Sequence, residues 1–473
     1  MLERAVAVPI LEVMNCRIPA VMCFTLILVK VQLCWSLDLI RTNHNRHNPF
    51  HRNFDYPRLA NNQYKLQIAN NPLFDEVIQS YTAKAQQKDK TPLPDNPEAR
   101  MTSIEIITSR GYPAETYSVV TKDGYILELH RIPHGKASST VSGYGKPVLL
   151  QHGFGGSSAD WLISPTDRNT AFQLADLGFD IWISNARGNT YSRKHQHLDP
   201  SEEAFWNFSW DEMGKYDLPA VIDFILAKNG NPEGKLSYIG YSMGASMFFV
   251  AMINDPDLNS KIEVMIALGP AVSLANIASP VIRAFAPFVK YVEFLFRILR
   301  IRNFMFNDMR FNKMRKSYCL QSYLRAAICR NILFLIVGHD NGHFDLDLLP
   351  VIDGHIPAGT SVRTGAHFAM NYNSGESFSA YDYGYFGNLR HYGKLRPPSY
   401  DLSKVTSPVY LFYGSSDYLS TSEDATWLSR KLPNLKELIK VDDNYYNHFD
   451  FLWAKDNNRL INKRIISILP SPT

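Results

Sequence analysis

The sequence predicts an α/β fold in which a mostly parallel sheet carries an inserted cap. From Pro147 onward, short apolar runs alternate with helical patterns, and such alternation produces a sheet with helices packed on its faces. One apolar run leads into a serine flanked by glycines, Gly240-Tyr241-Ser242-Met243-Gly244. The alternation lapses between about residues 277 and 399 and then resumes, which indicates a segment inserted into the core.

Length and composition narrow the class of protein. The chain has 473 residues, of which 45% are hydrophobic and 20% charged, so it is not mainly disordered or fibrous. Its formal net charge of +4 is small for this length, and the basic residues form no long blocks. Nucleic acid is therefore not an expected partner.

The first 36 residues predict a signal peptide. Residues 18–35 are largely apolar, follow Arg17, and end near the small residues Cys34 and Ser36, as signal cleavage requires. A signal anchor is the alternative, because the run approaches the ~20 apolar residues that span a bilayer. No other stretch has this length without charges. We therefore expect a secreted or lysosomal protein whose mature body has no stable membrane span.

The remaining chain divides into three predicted parts. Residues 37–98 are polar, rich in Asn, His, Lys and Pro, and lack periodicity, which indicates a linker or pro-segment. Residues 99–276 and 400–473 carry the strand and helix patterns of the core. Residues 277–399 are aromatic-rich and include an amphipathic basic segment, Phe288–Met305, which suits a cap and lid over an apolar pocket.

The predicted strands begin with a hairpin. Two β-rich runs, Thr116–Thr121 and Tyr125–Arg131, are joined through Asp123-Gly124, a strong hairpin signal. Apolar runs predict buried parallel strands at Pro147–Gln151, Phe179–Ser184, Leu236–Gly240 and Val264–Leu268. Two further strands are expected at Pro408–Tyr413 and near Glu437–Val441.

A helix is predicted over Asp217–Lys228, between the second and third of the parallel strands. Its apolar residues follow the three- and four-residue spacing of one helical face: Leu218, Val221, Ile222, Ile225 and Leu226. Asp217 is expected to cap the helix, and Pro219 lies in the first turn, where a missing N–H costs little.

Two of the five cysteines, Cys319 and Cys329, lie in the body of the chain. In a secreted chain, two cysteines ten residues apart most simply form one disulfide. Two buried thiols are the alternative. The chain has no CxxC motif and no set of residues that suggests a metal site.

The residues from Gly240 to Gly244 predict a nucleophile elbow. They follow a predicted strand and precede a helical run, Ala245–Ile253, which is the context that a catalytic GxSxG motif requires. The glycines permit a sharp turn that lifts the Ser242 hydroxyl to the sheet edge, at the positive end of a helix dipole. A structural turn of small residues is the alternative.

A serine hydroxyl needs a base and a group that orients the base. His448 is the one histidine after the strand at Pro408, and in the expected chain order of serine, acid, histidine it is the base. Asp417 follows that strand and is the predicted acid. Its rivals, Asp442, Asp443 and Asp450, lie too near His448 in sequence to approach the ring from a separate strand end.

Two backbone amides are predicted to form an oxyanion hole. One belongs to Met243, the residue after the nucleophile, and the other to Phe154, in the His152-Gly153-Phe154-Gly155-Gly156 loop after the first parallel strand. Because both donors are main-chain groups, their side chains are not constrained by this role. His152 precedes the serine and is interpreted as a residue that fixes the loop by hydrogen bonding.

These residues and others resemble the acid lipase family, which includes gastric lipase, lysosomal acid lipase and their insect relatives. Matching segments extend from about Met101 to Trp453: Gly111–Pro113, Thr121–Tyr125, Asn185–Thr190, Phe205–Met213, Tyr216–Ala220, Pro357–Ser361 and Tyr446–Phe451. The resemblance implies an α/β-hydrolase core with a cap and lid. It also implies a triad of Ser242, Asp417 and His448, and a cap disulfide between Cys319 and Cys329.

The chain departs from the family's pattern beside the nucleophile. Similar lipases usually have His before this serine and Gln after it, where this chain has Tyr241 and Met243. Backbone donation survives such changes, although substrate preference need not. The one glycosylation sequon, Asn207-Phe208-Ser209, lies inside a family motif.

The sequence therefore predicts a carboxylic ester hydrolase that acts on lipids at a lipid–water interface, most simply on acylglycerols. No metal or organic cofactor is implied. A steryl esterase or short-chain carboxylesterase is the enzymatic alternative. A non-catalytic lipid-binding protein would be favoured if a triad member were missing, and none is.

Overall fold

The computed structural model of the protein describes residues 92–136, 145–231, 233–304 and 319–472. These residues contain a nine-stranded sheet. The predicted signal segment and residues 37–91 lie outside the described residues. The strands are β1 (Glu115–Val120), β2 (Tyr125–Ile132), β3 (Pro147–Gln151), β4 (Asp180–Ser184), β5 (Lys194–His195), β6 (Leu236–Tyr241), β7 (Ile262–Leu268), β8 (Asn303–Phe304), β9 (Thr360–Ser361), β10 (Val409–Tyr413) and β11 (Leu435–Lys440).

The strand order is β1-β2-β4-β3-β6-β7-β10-β11, with β5 paired to β2. Six consecutive strands of this order are parallel to one another: β4, β3, β6, β7, β10 and β11. Strands β1 and β2 form the predicted antiparallel hairpin, and β2 is also antiparallel to β4. The pair β8–β9 forms a separate antiparallel sheet. All eight regions predicted as strands or hairpin arms are strands, with ends within about two residues of the expected ones.

The helices occupy the connections. They are α1 (Ser103–Ser109), α2 (Thr170–Asp176), α3 (Trp210–Glu212), α4 (Leu218–Lys228), α5 (Met243–Asn254), α6 (Pro280–Phe285), α7 (Val289–Ile298), α8 (Tyr323–Val337), α9 (Leu349–His355), α10 (Val362–Asn373), α11 (Gly384–Tyr392), α12 (Ser422–Ser429), α13 (Asp450–Trp453) and α14 (Lys463–Ile468). In the described part of the chain, no helix has the length and apolar character needed to cross a membrane.

Both faces of the sheet are buried, which is why its parallel strands have almost continuous apolar sequences. Along β3, Val148 and Leu150 join the apolar cluster on one face, whereas Leu149 joins the cluster on the other. This alternation follows from the two-residue period of a strand. The core therefore lies on both sides of the sheet and holds its strand ends in place.

Helix α4 buries the apolar face that its spacing predicts, namely Leu218, Val221, Ile222, Ile225 and Leu226. The prediction that Asp217 caps this helix is wrong. Asp217 has helical backbone angles, and its side chain makes no capping hydrogen bond. Instead, its Oδ1 accepts a 2.7 Å hydrogen bond from Arg187 Nε, because a buried guanidinium requires an ionic partner.

The described residues between β7 and β10 include helices α6–α11 and the pair β8–β9. None of the residues of α7 is buried, and Tyr291 in its first turn is 76% exposed. Cys319 precedes α8, and Cys329 lies within it. Their sulfur atoms are joined in a disulfide, which links the middle of α8 to the chain before the helix.

Candidate active site

Ser242 lies between β6 and α5 with a φ of 52° and a ψ of −113°. For a residue with a side chain, such a conformation costs on the order of 1–3 kcal/mol and persists only where neighbouring structure enforces it. The Ser242 amide donates to the Leu268 carbonyl at 3.0 Å, and the Ser242 carbonyl accepts from Ala245 at 3.0 Å. The turn is therefore held from β7 and from the first turn of α5.

The two glycines of the motif are required by close contacts. A Cβ on Gly240 would lie 2.9 Å from the Gly244 carbonyl carbon, and a Cβ on Gly244 would lie 2.7 Å from the Gln151 carbonyl oxygen. Both glycines have negative φ, so contact rather than dihedral angle excludes larger residues here. Helix α5 can approach β3 closely because these positions lack side chains.

Three predicted residues meet at the carboxyl edge of the sheet. His448 Nε2 lies 2.8 Å from Ser242 Oγ, and His448 Nδ1 lies 2.7 Å from Asp417 Oδ2. The other carboxylate oxygen of Asp417 accepts 2.8 Å hydrogen bonds from the amides of Leu419 and Ser420. All three side chains are nearly buried, so these hydrogen bonds are largely shielded from water.

The rival carboxylates point elsewhere. Asp442 is exposed, and Asp443 lies 3.2 Å from His343 Nε2. Asp450 Oδ2 accepts a 2.7 Å hydrogen bond from the Asn447 amide, so it closes the turn that carries His448. Of the four candidates, only Asp417 has a hydrogen bond to the His448 ring among the described residues.

Phe154 and Met243 flank Ser242 from two different loops. Met243 is the first residue of α5, where a backbone amide has no acceptor within the helix. Phe154 follows Gly153, whose added Cβ would lie 3.2 Å from Ser242 Cβ. The loop is held by the segment before β9, because Ala358 donates to the Gly155 carbonyl at 2.7 Å. The main chain at Phe154 and at Met243 therefore lies close to Ser242 in two different loops.

Comparisons with known proteins identify the fold and the family of the chain. The family described as "alpha/beta hydrolase fold" matches residues 146–455, and the "partial alpha/beta-hydrolase lipase region" matches residues 103–165. Gastric triacylglycerol lipase of Rattus norvegicus is 38% identical over 381 residues, covering 80% of this chain and 93% of that protein. This chain belongs to the acid lipase family.

Other members of the acid lipase family give similar values. Lipase lipl-1 of Caenorhabditis elegans is 39% identical over 381 residues, covering 79% of this chain and 92% of that protein. Lipase 3 of Drosophila melanogaster is 37% identical over 368 residues, covering 78% and 92%. A solved structure of a lipase candidate from Sulfolobus solfataricus has a TM-score of 0.50 at 13% identity, covering 75% of this chain and 93% of that chain, and so shares the fold.

In this acid lipase, His152 fixes the loop that carries Phe154. Its Nδ1 lies 2.7 Å from the Gly153 carbonyl, and its Nε2 lies 3.0 Å from the Ala186 amide. Burial lowers the pKa of His152 to about 4. The ring is therefore neutral across most pH values, and it donates through Nδ1 while it accepts through Nε2. This role matches the sequence-based interpretation.

Arg187 was not singled out by sequence reasoning, although it lies within a quoted family motif. It is buried and bonds to Asp217 and Asp123, with Nη1 2.6 Å from Asp123 Oδ2. The guanidinium also lies 3.9 Å from the centroid of the Tyr125 ring. The three charged residues join the β1–β2 turn, the loop after β4 and the start of α4. The sequence signal that could have identified these three residues is that each lies in one of the matching family motifs.

Asn207 is exposed at the surface. Its Oδ1 accepts a 3.1 Å hydrogen bond from Arg363 Nη2, and its backbone carbonyl accepts from Nη1 at 3.2 Å. Within the described residues, no group of three or more His, Cys, Asp or Glu side chains is arranged to hold a metal ion.

Proposed function

We propose that this protein is a lipid ester hydrolase, most simply a triacylglycerol lipase, that works through an acyl-enzyme. The observation that carries the proposal is the continuous line of hydrogen bonds from Asp417 through His448 to Ser242. Such a line activates a serine in acyl-transfer enzymes on several unrelated folds. Membership of a family whose named relatives include triacylglycerol lipases supports the lipid substrate.

In the proposed first half-reaction, His448 Nε2 takes the Ser242 proton as Oγ attacks the ester carbonyl carbon. Asp417 holds the imidazole through Nδ1 and stabilises the positive charge that develops on it. The tetrahedral intermediate collapses when its carbon–oxygen bond to the alcohol breaks. His448 then gives its proton to the departing alcohol, such as a diacylglycerol, and the acyl group remains on Ser242.

The negative charge of each tetrahedral intermediate is assigned to the amides of Phe154 and Met243. Donors that are already oriented toward this oxygen cost no reorganisation during the reaction, and one such donor is typically worth about 10²–10³ in rate. In the second half-reaction, His448 deprotonates a water molecule that attacks the acyl carbon. The Ser242–acyl bond breaks, His448 returns the proton to Oγ, and the fatty acid is released.

The exposed face of α7 favours a lipid as substrate. Six large apolar side chains are more than half exposed there and at its ends: Phe288, Tyr291, Phe294, Leu295, Ile298 and Leu299. Soluble proteins rarely expose so much contiguous apolar surface without a binding role. We assign residues 277–399 to the cap, with this helix as the part that meets the lipid–water interface. Residues 99–276 and 400–473 form the catalytic core.

We also propose that the chain enters the secretory pathway through residues 1–36 and is secreted or lysosomal. The apolar N-terminal sequence and the disulfide between Cys319 and Cys329 support this location, because disulfides persist in oxidising compartments. Residues 37–98 are assigned as a linker or pro-segment.

The test compares purified wild type with Ser242→Ala on triacylglycerols of increasing acyl length, a steryl ester and a short-chain aryl ester. Wild type should hydrolyse the triacylglycerols fastest, and the variant should lose about 10⁶-fold in rate. An alkyl phosphonate should label Ser242 in wild type alone. Preference for the steryl or short-chain ester would select the alternative substrate class. Unchanged turnover in the correctly folded variant would contradict the catalytic assignment.

A further inference from the structure

We infer that the hydroxyl of Tyr241 is a positioning group for the catalytic base, because it anchors the backbone of His448. Tyr241 Oη donates a 3.1 Å hydrogen bond to the His448 carbonyl oxygen. The two residues are 207 positions apart in sequence, so this contact joins the end of β6 to the loop after β11. The inference rests on the proposed function, in which His448 is the base.

The direction of the Tyr241 side chain follows from the strand period. Ile239 and Tyr241 point to the sheet face whose apolar cluster includes Tyr446 and Phe451, which flank His448 in sequence. Tyr238 points to the opposite face and belongs to the other cluster. A side chain at position 241 is therefore aimed at the base loop, and only a long side chain with a terminal donor can reach its carbonyl.

The Tyr241 ring is confined between two parts of the site. Its centroid lies 5.0 Å from that of the His448 imidazole. On its other side, a Cβ added to Gly153 would lie 2.8 Å from two ring carbons. The ring thus fills the space between the loop that carries Phe154 and the loop that carries His448. These contacts restrict the position of the ring.

The environment keeps the hydroxyl protonated. Burial raises the pKa of Tyr241 well above its ordinary value, and the carboxylates of Asp417, Asp160 and Asp450 raise it further. The group is therefore protonated at neutral pH and acts as a hydrogen-bond donor. Apart from this tether, the His448 backbone is held by a 3.4 Å hydrogen bond from its amide to the Val337 carbonyl. Loss of the tyrosine hydroxyl removes the shorter of these two backbone contacts.

The test uses Tyr241→Phe in the full-length protein, with Tyr238→Phe as a matched control. Tyr238 is also buried on β6, and its hydroxyl also donates to a backbone carbonyl, that of Gly244, at 2.8 Å. Two measurements are compared: hydrogen exchange of the backbone amides at positions 446–452, and kcat and KM for a triacylglycerol. Unfolding midpoints show that both variants are folded.

Tyr241→Phe should accelerate exchange in this loop and lower kcat about 10- to 100-fold, since small displacements of a catalytic group have effects of this size. KM should stay within about twofold, because the Tyr241 side chain is buried rather than open to substrate. Tyr238→Phe should leave the exchange of this loop unchanged, because its hydroxyl contacts Gly244 and not the His448 loop. Unchanged exchange in Tyr241→Phe, unchanged kcat in Tyr241→Phe, or equally accelerated exchange of the loop in both variants would overturn the inference. A wild type without esterase activity would refute the proposed function. The exchange measurement would still show whether the Tyr241 hydroxyl anchors the His448 loop.

Discussion

Two buried carboxyl groups near His448 have different surroundings, and this difference separates their roles. Asp417 accepts hydrogen bonds from two backbone amides and from the His448 ring. Asp450 accepts one from the Asn447 amide, and its Oδ1 has no hydrogen-bond partner among the described residues. Burial raises the pKa of Asp450 well above its ordinary value. Asp450 therefore suits a neutral group that shapes the loop.

Asp417→Asn should reduce kcat about 10⁴-fold, because an amide can hold the His448 ring in the wrong tautomer. Asp450→Asn should retain most of the activity, since the amide resembles a protonated carboxyl and can still accept from Asn447. Steady-state rates measured beside unfolding midpoints separate chemistry from stability. Loss of all activity in Asp450→Asn at an unchanged midpoint, with activity kept in Asp417→Asn, would refute the assignment of the acid.

At the scale of elements, the carboxyl end of α8 braces the loops of both the proposed acid and the proposed base. The Val337 carbonyl accepts hydrogen bonds from the Tyr418 amide at 3.2 Å and from the His448 amide at 3.4 Å. Gly338 then leaves the helix with a φ of 120°, and its carbonyl accepts from Asn447 Nδ2 at 3.3 Å. A helix of the proposed cap thus helps to set the distance between the loops of the proposed acid and the proposed base.

Gly338→Ala should disrupt this brace. An added Cβ would lie 1.8 Å from the Ser416 carbonyl oxygen, immediately before the proposed acid Asp417. We expect kcat to fall by about 10²-fold or more as the acid loop is displaced. Gly342→Ala is the matched control, because Gly342 also has positive φ, at 93°, but has no atom within 4 Å of the added Cβ.

Both alanine variants carry the backbone cost of positive φ, on the order of 1–3 kcal/mol, so their unfolding midpoints should fall. Only Gly338→Ala should lose kcat beyond that common effect. Equal activity in the two variants, measured on the same ester, would show that α8 does not control the acid loop.

At the scale of the whole molecule, buried titratable groups make stability depend on pH in opposing directions. Burial raises the pKa of Asp160 and that of Asp211 to about 7, which favours the folded state in acid. Burial lowers the pKa of His152 to about 4 and that of His367 to about 3, which favours the folded state at higher pH. Because these effects oppose one another, the contribution of one group to the free energy of unfolding is best measured by comparing wild type with a variant that lacks the group.

Asp160→Asn should remove one of these contributions. The folded pKa of about 7 exceeds the unfolded value of 3.8, so between about pH 4 and pH 7 the folded state binds more protons than the unfolded state. The free energy of unfolding of wild type should therefore fall, relative to the variant, as pH rises through this window. The relative change should be on the order of 3 kcal/mol.

Denaturant unfolding of both proteins at pH 4, 5, 6 and 7 measures this difference. Asparagine retains the oxygen that accepts from the Ser157 amide in the native capping box, so the two proteins should be similar near pH 4. A pH-independent difference would show that Asp160 is not held in its protonated form.

Passage through the secretory pathway should leave three marks on the mature protein. Its N-terminus should follow the apolar segment and so lack Cys16, Cys23 and Cys34, and unreduced peptide maps should recover Cys319 and Cys329 as one linked fragment. A glycan should be present on Asn207, whose exposed amide has its oxygen, but not its nitrogen, engaged by Arg363.

Mass spectrometry before and after glycosidase treatment measures the glycan. Asn207→Asp removes the sequon but retains an oxygen that Arg363 can bind, so it should lose the glycan mass without a large change in stability. Secreted material that keeps residues 1–36, or that has free thiols at positions 319 and 329, would contradict the proposed compartment.

Local patterns in the sequence predicted much of the fold and part of the site. The strand runs, the buried face of α4 and the turn at Ser242 are short-range features. Their two-residue and 3.6-residue periods and their glycines follow directly from backbone geometry. The sequence also allowed His448 to be predicted as the base, because it is the one histidine after β10. These predictions required no knowledge of which distant segments meet.

Contacts between distant segments were decided only by the tertiary structure. Sequence position favoured Asp417 among four carboxylates, but its 2.7 Å contact with His448 depends on how the loops after β10 and β11 converge. The local sequence predicts Asp217 as a helix cap, but its carboxylate instead accepts a hydrogen bond from a buried arginine 30 residues earlier. The tether from Tyr241 to His448 has no local signal at all. Hydrogen bonds of this kind depend on strand register and sheet twist, which arise from packing of the whole chain rather than from any single window of sequence.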